Sequence, residues 1–250
     1  MTADRSPAHP LPPPPPAYRW AVLVILSLAM FGNYYVYDSI SPLADVLKAQ
    51  LGFSDANIGL LNAIYSFPNI LMVLLGGIVI DRIGTRKATF LFGVLCFLGA
   101  ALTAASGTLA MMAAGRLVFG LGAESLIVAV TTAIAKWFKG KELGFAFGVN
   151  LLVARLASVA ADNSPTWARP LYTDWHTPLL VAVAFGGVGV FGAVVYWFLE
   201  ARATERYELG AASDPDKLVF ADLFRFNRSY WLIVGLCLVF YSAVFPFRSF

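Results

Sequence analysis

Charge is scarce in this chain. Only 13% of its 250 residues are Asp, Glu, Lys or Arg, against about 25% in an ordinary soluble domain, so a conventional water-facing surface is excluded. Cysteine and histidine are scarcer still, at two each. Cys96 and Cys237 each fall in the middle of an apolar run, with neither metal-ligand spacing nor a disulfide framework around them, and they read as small packing residues. His-Glu-x-x-His, Gly-x-Ser-x-Gly and a phosphate-binding glycine loop are all missing, which leaves an enzyme reading without footing and calls for no cofactor. The net charge of +3 is small and its basic residues are scattered through short segments, so nucleic acid is not the expected partner.

What the chain has instead is apolar surface. Hydrophobic residues make up 59% of it and the mean hydropathy is +0.71, the composition of a protein embedded in a lipid bilayer. A window of about 19 residues picks out apolar stretches each near the ~20 residues that cross the hydrocarbon core. They run from Trp20 to Leu43, Asn57 to Ile80, Ala88 to Ala105, Leu109 to Ala135, Leu143 to Trp167, Pro178 to Leu199 and Ser229 to Phe250. The first starts too late, and is too long, for a secretory signal peptide.

Basic residues alternate between the connecting segments. Arg5 and Arg19 precede the first helix; Arg82, Arg86 and Lys87 follow the second; Lys136, Lys139 and Lys141 follow the fourth; and Arg202, Arg206, Lys217, Arg225 and Arg228 follow the sixth. The remaining connections carry only Lys48 and Arg169. By the positive-inside rule the N-terminus and the even-numbered connections are cytoplasmic. The expected organisation is a disordered proline-rich cytoplasmic tail over 1–19, a six-helix bundle over 20–199, a cytoplasmic linker over 200–228 holding a short amphipathic helix near Phe220 to Arg225, and a first helix of a second bundle over 229–250.

Two charges stand where a spanning helix should have none. Glu124 lies inside the fourth apolar run and Arg155 inside the fifth, and a charge at the bilayer centre costs roughly 2.5 to 3.5 kcal/mol even on the lenient insertion scale. Counted along each helix at 1.5 Å per residue, Glu124 is roughly 22 Å from the outer end and Arg155 roughly 18 Å from the inner end. Both land near the midplane, where transporter sites are expected. An acceptor-only anion and a forked cation suit a zwitterion with one ammonium and one carboxylate. The same pair could instead neutralise itself and brace the bundle. Asp38, after Tyr34, Tyr35 and Tyr37, is either a proton or ammonium acceptor or the cap of a polar cluster. Tyr35, Tyr65 and Asn69 are candidate cavity-lining groups, and His176 beside Trp175 reads as interfacial.

The connection after the second helix reads Gly77-Ile-Val-Ile-Asp81-Arg82-Ile-Gly84-Thr-Arg86-Lys87. It resembles the signature of the major facilitator superfamily, in which the acid and the basic residues help latch two six-helix halves on the cytoplasmic side. The helix-four stretch Arg116-Leu-Val-Phe-Gly120-Leu-Gly122 agrees with that resemblance, its small residues permitting close helix contact. For Arg116 itself, bracing or lining of an outer vestibule is expected rather than substrate contact. Helix five lacks the Gly-Pro pair of drug antiporters.

Within the superfamily, Tyr65-Ser-Phe-Pro-Asn69, Gly122-Ala-Glu124-Ser-Leu, Trp137-Phe-Lys-Gly-Lys-Glu-Leu143, Val153-Ala-Arg155 and Phe240-Tyr-Ser-Ala-Val-Phe-Pro-Phe247 are similar to stretches of the lysosomal dipeptide transporter group. That resemblance implies an all-α membrane fold of twelve helices, of which this chain supplies the first half plus one helix, and therefore a fragment that does not transport alone. It also implies dipeptide uniport by alternating access, with Glu124 on the peptide's amino terminus and Arg155 on its carboxylate. A proton-coupled carrier of organic anions or sugars is the alternative, and a non-transporting receptor or scaffold a second one. The resemblance adds a glycosylated accessory membrane subunit to the partners to be sought. It places the protein in the lysosomal membrane if animal; the short connections and proline-rich tail, with no acidic dileucine signal before Arg19, suit a bacterial inner membrane.

Overall fold

The computed structural model describes residues 11–210 and 226–249; the expected amphipathic helix near Phe220 and the first ten residues of the tail lie outside the described residues. The chain divides into two units, one through residue 212 and one from residue 213. The described residues are helical or in turns.

In the first unit, α1 (Pro16–Asp38) begins four residues before the apolar run does. Pro16 sits at its first turn, where a missing N–H costs nothing and a fixed φ favours the helix. The residues just ahead of it are not loose, since the Glu208 amide donates to the Pro12 carbonyl at 3.0 Å. Helix α1 stops at Asp38 rather than Leu43: Pro42 restrains the residue before it, and a 3₁₀ turn over Ser41–Leu43 leads into α2 (Ala44–Leu51). Helix α3 (Asp55–Ala63) starts from a Ser54 cap whose hydroxyl accepts the Asn57 amide at 3.2 Å. The second apolar run then breaks at Ile64 and Tyr65. Pro68 has no N–H for the Ile64 carbonyl, which accepts the tighter bond from the Phe67 amide at 3.3 Å instead.

Helix α4 (Ser66–Ala104) is 39 residues long, and Gly84 interrupts it at φ 80°, ψ 160°. That is a conformation for glycine, and the chain reverses there. Along α5 (Leu109–Phe138), a Cβ on Gly120 would meet Pro68 and one on Gly76 would meet Ser125, whereas Gly122 faces Phe92 and Cys96, and Gly99 faces Phe119. The first half of α4 therefore runs with α5 and the second half against it. The 50-residue span Asp55–Ala104 is two crossings, as the sequence divides it.

Helix α6 (Leu143–Asp162) ends five residues before Trp167. Pro165 cannot donate to the Ala161 carbonyl, and the Ser164 hydroxyl does so instead at 2.5 Å. A short turn of helix, α7 (Ser164–Trp167), and a 3₁₀ turn over Arg169–Thr173 connect to α8 (His176–Arg206), which continues past Leu199 to Arg206. His176 opens α8, its ring against Trp175.

The most apolar windows of the α1–α2 span and of α5 are 56% buried, against 28% for the α3–α4 span and for α6. So α1 and α5 form the middle of the unit, and α6 and the first half of α4 present their Leu, Ile, Val and Phe side chains outward. The second unit contains one described helix, α9 (Arg228–Ser249), 22 residues long and apolar.

Candidate functional site

Helix α1 is clasped by α5 on one side and α6 on the other. The Asn33 amide nitrogen donates to the Ala123 carbonyl of α5 at 3.5 Å, and the Asn150 amide of α6 donates to the Ser27 hydroxyl at 3.1 Å. One turn along from Asn33, Tyr37 packs its ring on Phe119 of α5, centroids 6.1 Å apart. The Arg155 guanidinium lies 5.4 Å from the centre of the Tyr34 ring. Glu124 therefore stands beside the level of Asn33, and Arg155 at the level of Tyr34. The two charges expected from the sequence occupy neighbouring depths on helices that flank α1.

They do not neutralise one another. Among the described residues the ion pairs within 4 Å are Lys48 with Asp55 and Lys136 with Glu200, and Glu124 and Arg155 are in neither. Both are half-buried. Glu124 is near enough to Tyr37 and Cys96 to interact with both electrostatically. A ring beneath a guanidinium attracts its charge without consuming N–H donors, so Tyr34 holds Arg155 in place and leaves its donors for something else.

Two unpartnered acceptors lie on the helices packed against α5. Asn33 spends its amide nitrogen on Ala123, and its carbonyl oxygen is buried with no hydrogen-bond partner. The Asn69 carbonyl oxygen, on the first half of α4, is likewise buried and unpartnered. Buried polar atoms are satisfied in the great majority of cases, so these two oxygens mark where a donor is wanted. Tyr65, 7% exposed, crosses Tyr37 edge-on at 4.6 Å and adds the wall between Asn69 and α1.

The structure separates Tyr35 from this group. It is 3% exposed and packs on Phe185 of α8 at 4.1 Å, among Ala157, Ala161 and Ala182. Successive residues on a helix point about 100° apart, so when Tyr34 faces Arg155 its neighbour turns to the α6–α8 seam. Tyr34 is the ring that the sequence reading passed over. Asp38 ends α1 within electrostatic reach of Arg116, Tyr37 and Tyr65.

Arg116 is a brace. It is 1% exposed, and its Nε, Nη1 and Nη2 donate to the carbonyls of Leu61, Val36 and Tyr37 at 3.1, 3.0 and 3.0 Å. Those carbonyls belong to the last turns of α3 and α1, where regular i→i−4 pairing runs out and a cation is favoured by the helix dipole; the Val36 carbonyl also accepts from the Ser39 amide and hydroxyl. The rings of Tyr65 and Phe119 cover its faces at 4.7 and 5.1 Å. Gly120 and Gly122 allow the two halves of α4 onto α5 beside Glu124, as described above.

The 77–87 connection is divided, with Gly77, Asp81, Arg82 and Lys87 turned outward and Ile80 and Thr85 buried. Gly77 has nothing within 4 Å of where a Cβ would stand, and Asp81, Arg82 and Lys87 are exposed. Arg86 stacks on Trp197 of α8 at 5.1 Å. Behind the connection lies a buried cluster that the sequence did not announce. Glu200 accepts from the Thr85 hydroxyl at 3.0 Å and pairs with Lys136 at 2.6 Å, and the Tyr196 hydroxyl donates to Thr85 at 3.4 Å. It ties α4, α5 and α8 together at the end of the unit that carries the basic connections.

Comparison with known proteins gives the same architecture. Residues 26–250 match the family model of the Major Facilitator Superfamily. The chain is 34% identical over 244 residues to a protein of Homo sapiens named lysosomal dipeptide transporter MFSD1, covering 92% of this chain and 52% of that protein. It is also 34% identical over 246 residues to the protein of that name from Danio rerio, covering 92% and 53%. A crystal structure of a bacterial homolog of the human lysosomal transporter Spinster, in an inward-facing and unoccupied conformation, superposes with a TM-score of 0.62 at 20% identity, over 84% of this chain and 47% of that one. The chain spans about half the length of the curated relatives it matches.

Proposed function

This chain belongs to the major facilitator superfamily, a multi-pass membrane family, and from that premise we propose that the protein it forms carries dipeptides, holding the peptide ammonium at Glu124 and the peptide carboxylate at Arg155. The observation that carries the reading is that the two opposite charges stand at neighbouring depths, flank one helix and leave each other unpaired. A charge held near the bilayer centre without a counter-ion is costly, and a zwitterion spanning the two would relieve both at once.

The finer chemistry supports the same assignment. An ammonium has three N–H donors and no acceptor; Glu124, with the unpartnered oxygens of Asn33 and Asn69, supplies acceptors of the matching kind. The Arg155 fork suits a carboxylate, which it can grip with two parallel bonds. Both anchors touch only the peptide termini, so varied side chains fit the same grip. The name of the human and zebrafish relatives points to the same substrate class.

Access would alternate by rocking of this half against a second one. In that motion the exposed Asp81 and Arg82 and the uncovered Gly77 are the contact that latches the halves, and the basic end of the unit faces the cytoplasm. Uniport, the mode the family resemblance implies, is the mode proposed, in a lysosomal membrane in an animal or the inner membrane in a bacterium. The test is uptake of a labelled dipeptide into proteoliposomes holding the full-length protein. Saturable uptake that disappears in a folded Arg155→Ala variant is expected. No uptake by the wild type would overturn the dipeptide assignment and redirect the search to organic anions and sugars.

A further inference from the structure

At the basic end of the first unit, the start of α1, the last turn of α5, the turn into α6 and the chain leaving α8 enclose a cavity of about 240 Å³. Arg19, Lys136, Lys139 and Lys141 line it, and Glu208 is the carboxylate among its lining residues. Lys136 is already paired with Glu200, but the wall remains predominantly positive. Arg19 is the unusual member. It is 6% exposed, and its Nε and Nη1 are buried with no hydrogen-bond partner, while its guanidinium sits 5.5 Å from the centre of the Phe138 ring. A buried guanidinium with idle donors is destabilising, and among the described residues these two donors have no partner, so the geometry suits an added anion.

We propose that this cavity binds a phosphate group, carried either by an acidic lipid headgroup or by a free phosphate, with Arg19 as the central ligand and Lys139 and Lys141 at the mouth. A guanidinium is matched in geometry to phosphate, and lysines add point charges around it. The cavity is smaller than the ~300 Å³ at which pockets for drug-sized ligands begin, and so suits one compact anionic group. Basic pockets at helix ends are places where anionic headgroups dock. Occupation would tie the segment at Pro13 and Pro14 to the turn between α5 and α6 and to Glu208, which line the same cavity.

The test is the melting midpoint of the purified full-length protein, with inorganic phosphate against chloride at equal ionic strength, and after reconstitution in phosphatidylcholine with or without phosphatidic acid. The expected result is a rise in the wild type with phosphate or with phosphatidic acid, and an apparent affinity roughly tenfold weaker in Arg19→Gln, the order set by one charge-assisted hydrogen bond. Lys141 is exposed, so Lys141→Gln folds and should show a smaller loss. A response to inorganic phosphate identifies the free anion as a sufficient ligand; a response to phosphatidic acid alone identifies the headgroup. No response to either probe, a response equalled by chloride, or one unchanged in both variants overturns the proposal.

Discussion

Replacing Arg116 separates a brace from a substrate contact. Its guanidinium makes three hydrogen bonds, of 3.0 to 3.1 Å, to carbonyls at the ends of α1 and α3. A hydrogen bond with one charged partner contributes about 1.5 to 3 kcal/mol, so a plain sum would exceed 4.5 kcal/mol. That sum is too large, because removing the arginine also removes the cost of desolvating it. Arg116→Ala takes a donor from three buried carbonyls, at about 1 to 3 kcal/mol for each left unsatisfied, and is therefore expected to destabilise the protein by about 3 to 5 kcal/mol once the desolvation saving is included. At roughly 2 to 4 °C per kcal/mol for a chain of this size, the melting midpoint should fall by about 10 °C. Arg116→Lys keeps the charge but loses the fork that reaches three carbonyls, and should lose about half as much. The assay is thermal unfolding in detergent, alongside dipeptide uptake at a temperature where each variant is folded. A lysine variant melting within about 1 °C of wild type would refute the brace. So would an unchanged midpoint with a raised transport KM, which would make Arg116 a substrate contact.

Other outcomes follow from the packing and the caps. Gly122→Val places carbon where the Phe92 carbonyl lies 2.6 Å away and Cys96 Sγ 2.9 Å away, so it should cost at least about 1 to 3 kcal/mol by overpacking, read as a lower melting midpoint. Gly77→Ala enters open space and should leave the midpoint unchanged while slowing uptake; a stability loss there would contradict the placement. Asp174 accepts from the Thr177 hydroxyl at 2.6 Å and from the Thr177 and His176 amides, and the Thr177 bonds foremost hold its carboxyl below the usual range. A depressed folded pKa adds stability above the unfolded value and loses it as pH falls through the folded one. The midpoint gap between wild type and Asp174→Ala should be full at neutral pH and close below about pH 4; a gap independent of pH would show that the carboxylate charge is not what caps α8.

The fold was legible because lipid leaves few options. Apolar runs of spanning length, a basic glycine turn around Gly84 and alternating basic connections define the crossings, and the departures come from local chemistry. Pro42, Pro68 and Pro165 are visible in the sequence, but where each cuts its helix depends on which carbonyl it orphans and what satisfies that carbonyl, as Ser164 does for Ala161. Glu124 and Arg155 stood out because an isolated charge in an apolar run is conspicuous at any rotation of the helix. The aromatic residues were harder. Tyr34 and Tyr35 are adjacent in sequence and face different helices, and nothing before the packing of α1 against α5, α6 and α8 says which of them meets Arg155. The Arg19 cavity draws on the start of α1, the turn after α5 and Glu208, with Arg19 and Glu208 189 positions apart in the chain, and no spacing rule joins them.

Whether Arg155 reads the peptide carboxylate is the claim on which the account turns. The direct measurement is competition of labelled dipeptide uptake, in proteoliposomes with the full-length protein, by a free dipeptide and by the same dipeptide amidated at its C-terminus. Wild type is expected to prefer the free acid by roughly tenfold or more, the value of one charged hydrogen-bonded contact, and a folded Arg155→Gln variant to treat the two competitors alike. Equal competition in the wild type, or a preference that survives in the variant, would contradict the claim.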